Sequence, residues 1–138
     1  MEKKIIHSDH APEAIGPYSQ AVEAQGAICF VSGQLPIDPA TGQFAGDSIE
    51  EQTEQALKNI QAILEAGGLT MANVVKTTVL LKDIADFGAM NEVYARFFER
   101  ECPARAAFQV AAIPKGALVE IEAVAVRSVS YTHLGEGI

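Results

Sequence analysis

The stretch PARAAFQVAAIP, residues 103–114, is almost wholly apolar and contains one full charge, Arg105. A second apolar run, LVEIEAVAV at residues 118–126, carries the carboxylates Glu120 and Glu122. Strands this apolar are expected to lie mostly buried in a sheet. A guanidinium left unpaired at a dry site would destabilise the fold by roughly several kcal/mol, so Arg105 needs an anionic partner. That partner is either Glu120 or Glu122, or the carboxylate of a small ligand, which the planar fork of an arginine binds bidentately.

The composition describes one globular domain. The chain has 138 residues, of which 49% are hydrophobic and 20% charged, and this balance excludes a disordered chain. The formal net charge of −8, with no basic run, opposes binding to a nucleic-acid backbone. The N-terminus lacks the apolar segment of a secretory leader, and no apolar run reaches the ~18 residues of a membrane-spanning helix. We therefore predict a cytoplasmic protein with neither nucleic-acid nor membrane partners.

Metal and thiol chemistry have little support in the sequence. Cys29 and Cys102 are far apart, and neither cysteine pairs with another ligand at the spacing of a zinc site. The three histidines, His7, His10 and His133, lie near the termini, where a surface position is the default. We predict no metal and no cofactor, and we interpret both cysteines as packing residues.

Hydrophobic periodicity predicts two helices. Residues 47–68 form the clearer one, because Ser48 and Glu51 make a capping-box pattern and Gly67-Gly68 is a typical C-terminal stop. Residues 83–101 form the second. The apolar stripes of these helices, interpreted as core, are Ile49, Ala56, Leu57, Ile60, Ile63 and Leu64 in the first and Phe87, Met90, Tyr94, Phe97 and Phe98 in the second.

The remaining apolar runs predict strands. They comprise a short edge strand around Ile5 and Ile6, and residues 27–32, 73–81, 103–114 and 118–127, whereas residues 36–46 have turn and loop chemistry. The order of elements predicts an α+β fold, a mixed β-sheet with two helices on one face. In residues 118–127, alternation places both carboxylates on one face and Ile121 on the face that packs against the helices. The other face would be exposed in a monomer, so we predict a closed homo-oligomer.

Four positions have features that a binding site would use. Tyr18 lies on a loop because Gly16-Pro17 interrupts the chain before it. Ser32 ends a strand, and Gly33 marks a sharp turn or a close approach of the backbone to another group. Asn91 lies in the middle of the second helix, where asparagine is mildly unfavourable. The structural alternatives are a Tyr18 ring packed on the core, a Ser32 turn, and an Asn91 that faces water or fixes a loop.

Six segments together resemble the reactive intermediate deaminase family, the RidA or YjgF group. They are IGPYSQ at 15–20, SGQ at 32–34, VKTTV at 75–79, NEVY at 91–94, PAR at 103–105 and VEIEA at 119–123. The resemblance runs in register from about Ile5 to Arg127. It implies one RidA-like domain over residues 1–127, with a chorismate-mutase-like fold and a barrel-forming homotrimer with three sites at the subunit clefts. Residues 128–138 match nothing in the family pattern, and we predict a disordered or non-native tail.

The same resemblance implies an activity and a set of site residues. The activity is hydrolysis of 2-imino acids, such as 2-iminopropanoate and 2-iminobutanoate, to 2-keto acids and ammonia without a cofactor. Arg105 matches the family arginine that holds the substrate carboxylate. Tyr18, Ser32, Asn91 and Glu120 match positions that line the same cleft, and we assign Gly33 and Ala107 to substrate binding with them. Ala107 falls where some members carry a cysteine, which excludes a thiol mechanism at that position.

A mechanism follows as a hypothesis. Arg105 holds the carboxylate so that the imine carbon lies near a water molecule. Glu120 and backbone carbonyls orient that water, with Glu120 as candidate base, while Tyr18 or Ser32 supports proton movement. The alternatives are a non-catalytic trimeric binding module for 2-keto or other small carboxylic acids, an RNA-cleaving or translation-inhibiting protein, and a structural or chaperone-like trimer.

Overall fold

The chain folds around one mixed sheet. The computed structural model describes residues 3–128, and the predicted tail lies outside them except for Ser128. In chain order the elements are β1 (Lys3–Ile6), β2 (Ala21–Ala24), β3 (Gly26–Gln34), β4 (Ile37–Asp38), β5 (Gln43–Phe44), α1 (Ile49–Ala66), β6 (Val74–Leu81), α2 (Phe87–Phe97), β7 (Ala104–Gln109) and β8 (Val119–Ser128).

The main sheet has four strands in the order β3-β8-β6-β7. β8 runs antiparallel to both β3 and β6, whereas β6 and β7 are parallel. β1 pairs with β2, and β4 with β5, as separate two-stranded ribbons. This mixed sheet with two helices confirms the predicted α+β class.

The two faces of the sheet differ in burial, as the alternation in residues 118–127 predicted. The buried side chains of β8 that face the helices are Val119, Ile121, Ala123 and Ala125. α1 packs against β8, β3 and α2, so both helices cover this face. The opposite face carries Phe30 and Phe108, which are 77% and 46% exposed. Residues 3–128 of a single chain therefore leave apolar side chains on this face uncovered.

α1 begins and ends where its capping residues and the following glycines predict. The Ser48 hydroxyl accepts a hydrogen bond from the Glu51 backbone N–H at 3.1 Å, and the Glu51 carboxylate accepts from the Ser48 N–H at 3.4 Å, which is the predicted capping box. Gly68, just past the helix, has φ +77°, a left-handed conformation suited to glycine. The predicted stripe is wrong at Ile63, which is 43% exposed, whereas Gln52 is buried and hydrogen-bonds across to the Leu118 N–H at 2.8 Å.

Several predicted boundaries are corrected by the structure. α2 begins only at Phe87, because Asp83 caps a separate 3₁₀ turn at Ile84–Asp86. Residues 36–46 contain the short β4–β5 hairpin as well as turns, and β2 was missed because its sequence, AVEA, is too short to stand out. β7 is the edge strand of the sheet and only part of residues 103–114, so its side chains are half-buried or exposed and not mostly buried as predicted.

Candidate active site

Arg105 lies on the helix-covered face of β7, beneath α2. Register places it beside Thr77 of β6, whose own partner on β8 is the buried Ala123. Paired residues in a ladder share a face, so the Arg105 side chain extends toward the helices. There its Nη1 donates a hydrogen bond of 2.7 Å to the Asn91 side-chain oxygen. Asn91 therefore faces the sheet, and its side-chain oxygen accepts from Arg105.

Three aromatic rings surround the Arg105 guanidinium. The distances from its Cζ to the ring centroids are 5.2 Å for Tyr18, 5.4 Å for Phe87 and 4.8 Å for Tyr94. Each lies within the ~6 Å at which the electron-rich face of a ring attracts a cation. The rings stabilise the positive charge without neutralising it, whereas an internal carboxylate would neutralise it.

Arg105 has no carboxylate counter-ion among the described residues. Within residues 3–128, no carboxylate approaches its guanidinium to the 4.0 Å of an ion pair. The proposed internal partners Glu120 and Glu122 are therefore wrong, and the alternative, an external carboxylate, stands. Burial lowers the pKa of the Arg105 guanidinium, yet an arginine keeps its proton at neutral pH. The site thus holds a half-buried cation suited to an anionic ligand.

Glu120 belongs to the opposite face of the sheet. It is paired with Leu80, and it lies three positions from Ala123 along a strand whose side chains alternate. One chain therefore does not bring the carboxylate of Glu120 and the guanidinium of Arg105 into the same cleft. This separation is invisible in the sequence because it depends on the register between strands.

Gly33 lies beside Glu120 instead of beside Arg105, and Ser32 precedes it in the same strand. Both fall inside β3, where the register with β8 shifts between Val31 and Gln34, so Ser32 is not at a strand end as predicted. A Cβ added at Gly33 would collide with the Glu120 Oε2 atom. The predicted close approach at Gly33 is confirmed, and the group that approaches it is the Glu120 carboxylate.

The Tyr18 loop is fastened to the strand that carries Arg105. The Ser19 N–H donates to the Pro103 carbonyl at 3.1 Å, which places the loop against the start of β7. Within the loop, a Cβ added at Gly16 would lie 3.6 Å from the Arg105 Nη2 atom. Gly16 therefore lies next to the guanidinium, and Tyr18 places its ring beside Arg105.

Three further residues of the site were not predicted as such. Phe87 and Tyr94 were assigned to the core alone, and Thr77 was not singled out beyond its segment. Tyr94 is fully buried, so its core assignment is right but incomplete. The spacing of Phe87, Asn91 and Tyr94, at i, i+4 and i+7, places all three on one face of α2, and that spacing was the available signal.

The cysteines and Ala107 serve packing. Ala107 lies two residues from Arg105 on the same face and contacts the core. Cys29 also packs against the core, and the Cys102 thiol donates to the Phe98 carbonyl at 3.3 Å. Burial raises the pKa of the Cys102 thiol, which disfavours the reactive thiolate. The interpretation of both cysteines as packing residues is confirmed.

One cluster has the donor atoms of a cation site. His7, Asp9 and Glu13 are exposed, and their ligand atoms lie within 4.8 Å of one another. The two ring nitrogens of His7 lie 3.7 Å from the Asp9 carboxylate and 3.1 Å from that of Glu13. Because each nitrogen already faces a carboxylate, the contacts within the cluster account for its arrangement.

Tyr94 gives the fold a measurable alkaline pH dependence. Burial raises the pKa of its phenol to about 12 from the ordinary 10.0, against the opposing effects of the Thr77 hydrogen bond and the Arg105 charge. Between these pH values the unfolded chain has lost this proton and the folded chain has kept it, so the free energy of unfolding falls as pH rises, by at most about 1.4 kcal/mol per pH unit. Urea denaturation at pH 9 and pH 11 is expected to show a smaller loss for Tyr94→Phe than for wild type; equal losses would contradict the shift.

Comparison with known proteins gives a consistent result. A family model described as endoribonuclease L-PSP matches residues 8–127. The 2-iminobutanoate/2-iminopropanoate deaminase of Mus musculus is 53% identical over 125 residues, which is 91% of this chain and 92% of the relative. The crystal structure of RidA from the Antarctic bacterium Psychrobacter sp. PAMC 21119 has a TM-score of 0.71 and 44% identity, covering 90% of this chain and 99% of that one. E. coli TdcF with bound serine has a TM-score of 0.70 and 44% identity, with coverage of 91% and 99%. Neither α1 nor α2 has the length and hydropathy of a bilayer-spanning helix.

Proposed function

The chain belongs to the endoribonuclease L-PSP family, which includes the RidA and YjgF proteins, and on that premise we infer that it is a 2-iminobutanoate/2-iminopropanoate deaminase. It hydrolyses the C=N bond of a 2-imino acid, with water as the co-reactant, to give a 2-keto acid and ammonia. The observation that carries this function is the half-buried Arg105, whose charge is surrounded by rings and has no carboxylate partner within residues 3–128. A small carboxylic acid supplies the missing charge.

The proposed chemistry needs positioning more than reactive groups. Arg105 binds the substrate carboxylate, and Asn91, by accepting from one edge of the guanidinium, leaves the other N–H donors for that carboxylate. Water adds to the imine carbon as a proton reaches the nitrogen, which gives a carbinolamine. The hydroxyl proton of the carbinolamine then passes to the amino nitrogen, the C–N bond breaks, and ammonia leaves as the carbonyl forms. The bound serine of TdcF, a small amino acid with the same carboxylate, supports this substrate class for a relative.

We propose that a second subunit supplies Glu120. In one chain Glu120 and Arg105 lie on opposite faces of the sheet, so they can act on one substrate only if the Glu120 face of one chain meets the Arg105 edge of another. The uncovered apolar face with Phe30 and Phe108 supports association. The family resemblance makes this assembly a homotrimer with a central, chorismate-mutase-like barrel. In it, Glu120 orients the attacking water as the base, next to Ser32 and Gly33.

The activity is tested with freshly generated substrate. An amino-acid oxidase or dehydratase produces 2-iminobutanoate in the cuvette, and semicarbazide traps whatever imine remains. The protein is expected to lower semicarbazone formation and to accelerate ammonia release in proportion to its concentration. Binding of 2-oxobutanoate without any acceleration of ammonia release would favour the binding-module alternative.

The name of the matching family refers to RNA cleavage, and this activity can be tested with the same protein preparation. The net charge of −8 opposes association with a phosphate backbone. We expect no RNA cleavage under conditions that support imine hydrolysis. The cytoplasmic location and the non-native tail stay predictions from sequence.

A further inference from the structure

A buried pair of hydroxyl groups lies behind the Arg105 guanidinium. The Tyr94 phenol and the Thr77 hydroxyl are 2.7 Å apart, and both residues are buried. Tyr94 is also the ring closest to Arg105, at 4.8 Å from Cζ to the centroid. We propose that Tyr94 and Thr77 act together as positioning residues that hold Arg105 in the orientation that binds the substrate carboxylate.

The geometry connects the pair to Arg105 from two directions. Thr77 is the in-register neighbour of Arg105 across the parallel β6–β7 ladder, so the two side chains leave the sheet side by side. Tyr94 extends from α2 toward Thr77 and Arg105. Its hydroxyl bond to Thr77 fixes the ring against β6, and the ring in turn lies over the guanidinium. Loss of this bond would leave the position of the ring to packing alone.

The pair also keeps the charge of Arg105 available to a ligand. An ionised Tyr94 would be a counter-ion in direct competition with the substrate carboxylate. Burial of the phenol opposes ionisation and holds its pKa at about 12, so the ring remains neutral over the working range of pH. A neutral ring attracts the cation by its quadrupole alone, which is weaker than an ion pair and is compatible with carboxylate binding.

The matched control is a buried hydroxyl elsewhere in the core. Thr53 on α1 is fully buried, and its Oγ1 makes no hydrogen bond within residues 3–128. Thr53→Val therefore removes a buried hydroxyl group as Thr77→Val does, but from a residue outside the Arg105 site. A general effect of core polarity would appear in both variants, whereas a positioning effect would appear only at Thr77.

The experiment compares Tyr94→Phe, Thr77→Val, their double variant, Thr77→Ser and Thr53→Val. Each is measured for kcat and KM with 2-iminobutanoate and for the Kd of 2-oxobutanoate, whose carboxylate is the same. Because the inference rests on the proposed deaminase function, the binding measurement is made even if wild type fails to turn over. In that case the function is refuted, while the 2-oxobutanoate affinities still decide the positioning role.

The expected result is a weakening of about three- to tenfold in Kd and KM for Tyr94→Phe and Thr77→Val, the effect of one net hydrogen bond. kcat should change less, the double variant should be no weaker than the worse single one, and Thr77→Ser should restore wild-type affinity. Thr53→Val should match wild type. The proposal is overturned if the Tyr94 and Thr77 variants lose thermal stability with unchanged Kd, or if their effects on Kd are independent and multiply.

Discussion

Replacement of Arg105 with alanine is expected to lower kcat/KM for 2-imino acids by about two to four orders of magnitude. The bidentate contact consists of two charge-assisted hydrogen bonds, each of which contributes about 1.5–3 kcal/mol. Arg105→Lys keeps a positive charge but lacks the planar fork, so it is expected to recover only part of the loss. Steady-state hydrolysis of 2-iminobutanoate measures both effects.

The fold is expected to survive the Arg105→Ala change. No carboxylate within residues 3–128 loses an ion-pair partner, and only the Asn91 side-chain oxygen loses a hydrogen bond. The melting temperature should therefore stay within a few degrees of the wild-type value. Arg96→Ala, which removes an exposed arginine from α2, is the matched control and should retain full activity. A folded Arg105→Ala protein with normal turnover would refute the role of Arg105 in carboxylate binding.

Two inactive variants are expected to restore activity when their subunits are mixed. Glu120→Gln should be slow because it lacks the proposed base, and removal of a general base lowers rates by about 10²–10⁴. In mixed trimers formed by co-refolding, a cleft with Arg105 from one variant and Glu120 from the other is intact. With equal amounts and random assembly, a cleft receives an intact Arg105 face with probability of about one half and an intact Glu120 face with probability of about one half. Both faces are intact in about one quarter of the clefts, so about one quarter of wild-type activity should return.

A second mixture is the control for this experiment. Arg105→Ala subunits mixed with subunits that carry both Arg105→Ala and Glu120→Gln contain no intact Arg105 face, so this mixture should stay inactive. If the first mixture also stays inactive although size-exclusion chromatography and mass spectrometry detect mixed trimers, the two residues do not meet across subunits. Glu120 would then act within its own subunit or have no role in the reaction.

The sequence predicted those parts of the fold that depend on neighbouring residues. Ser48 and Glu51 are three positions apart, so the capping box and the start of α1 could be identified before any tertiary contact was known. Gly68 predicted the end of the helix for the same reason. β7 was misjudged because its place at the edge of the sheet is a tertiary property that an apolar run does not encode.

Some of the residues around Arg105 were predicted from the sequence, whereas the arrangement of the candidate site was not. The family resemblance assigned Arg105, Tyr18 and Asn91, and the structure places these three in contact or close to it. It did not indicate Tyr94, because a buried tyrosine on a helical stripe has the same pattern whether or not it touches a site. The opposite faces of Arg105 and Glu120 could not be deduced either, since alternation fixes parity within one strand and not between strands.

The neutral surroundings of Arg105 have a consequence for the reaction once its product accumulates. The guanidinium, with Asn91 at one edge and aromatic rings around it, is expected to bind the acid end of a ligand. The 2-keto acid released by hydrolysis has the same acid end as the imine. We therefore expect the keto acid to compete with the imine for Arg105, and a later reaction that removes the keto acid to relieve this inhibition.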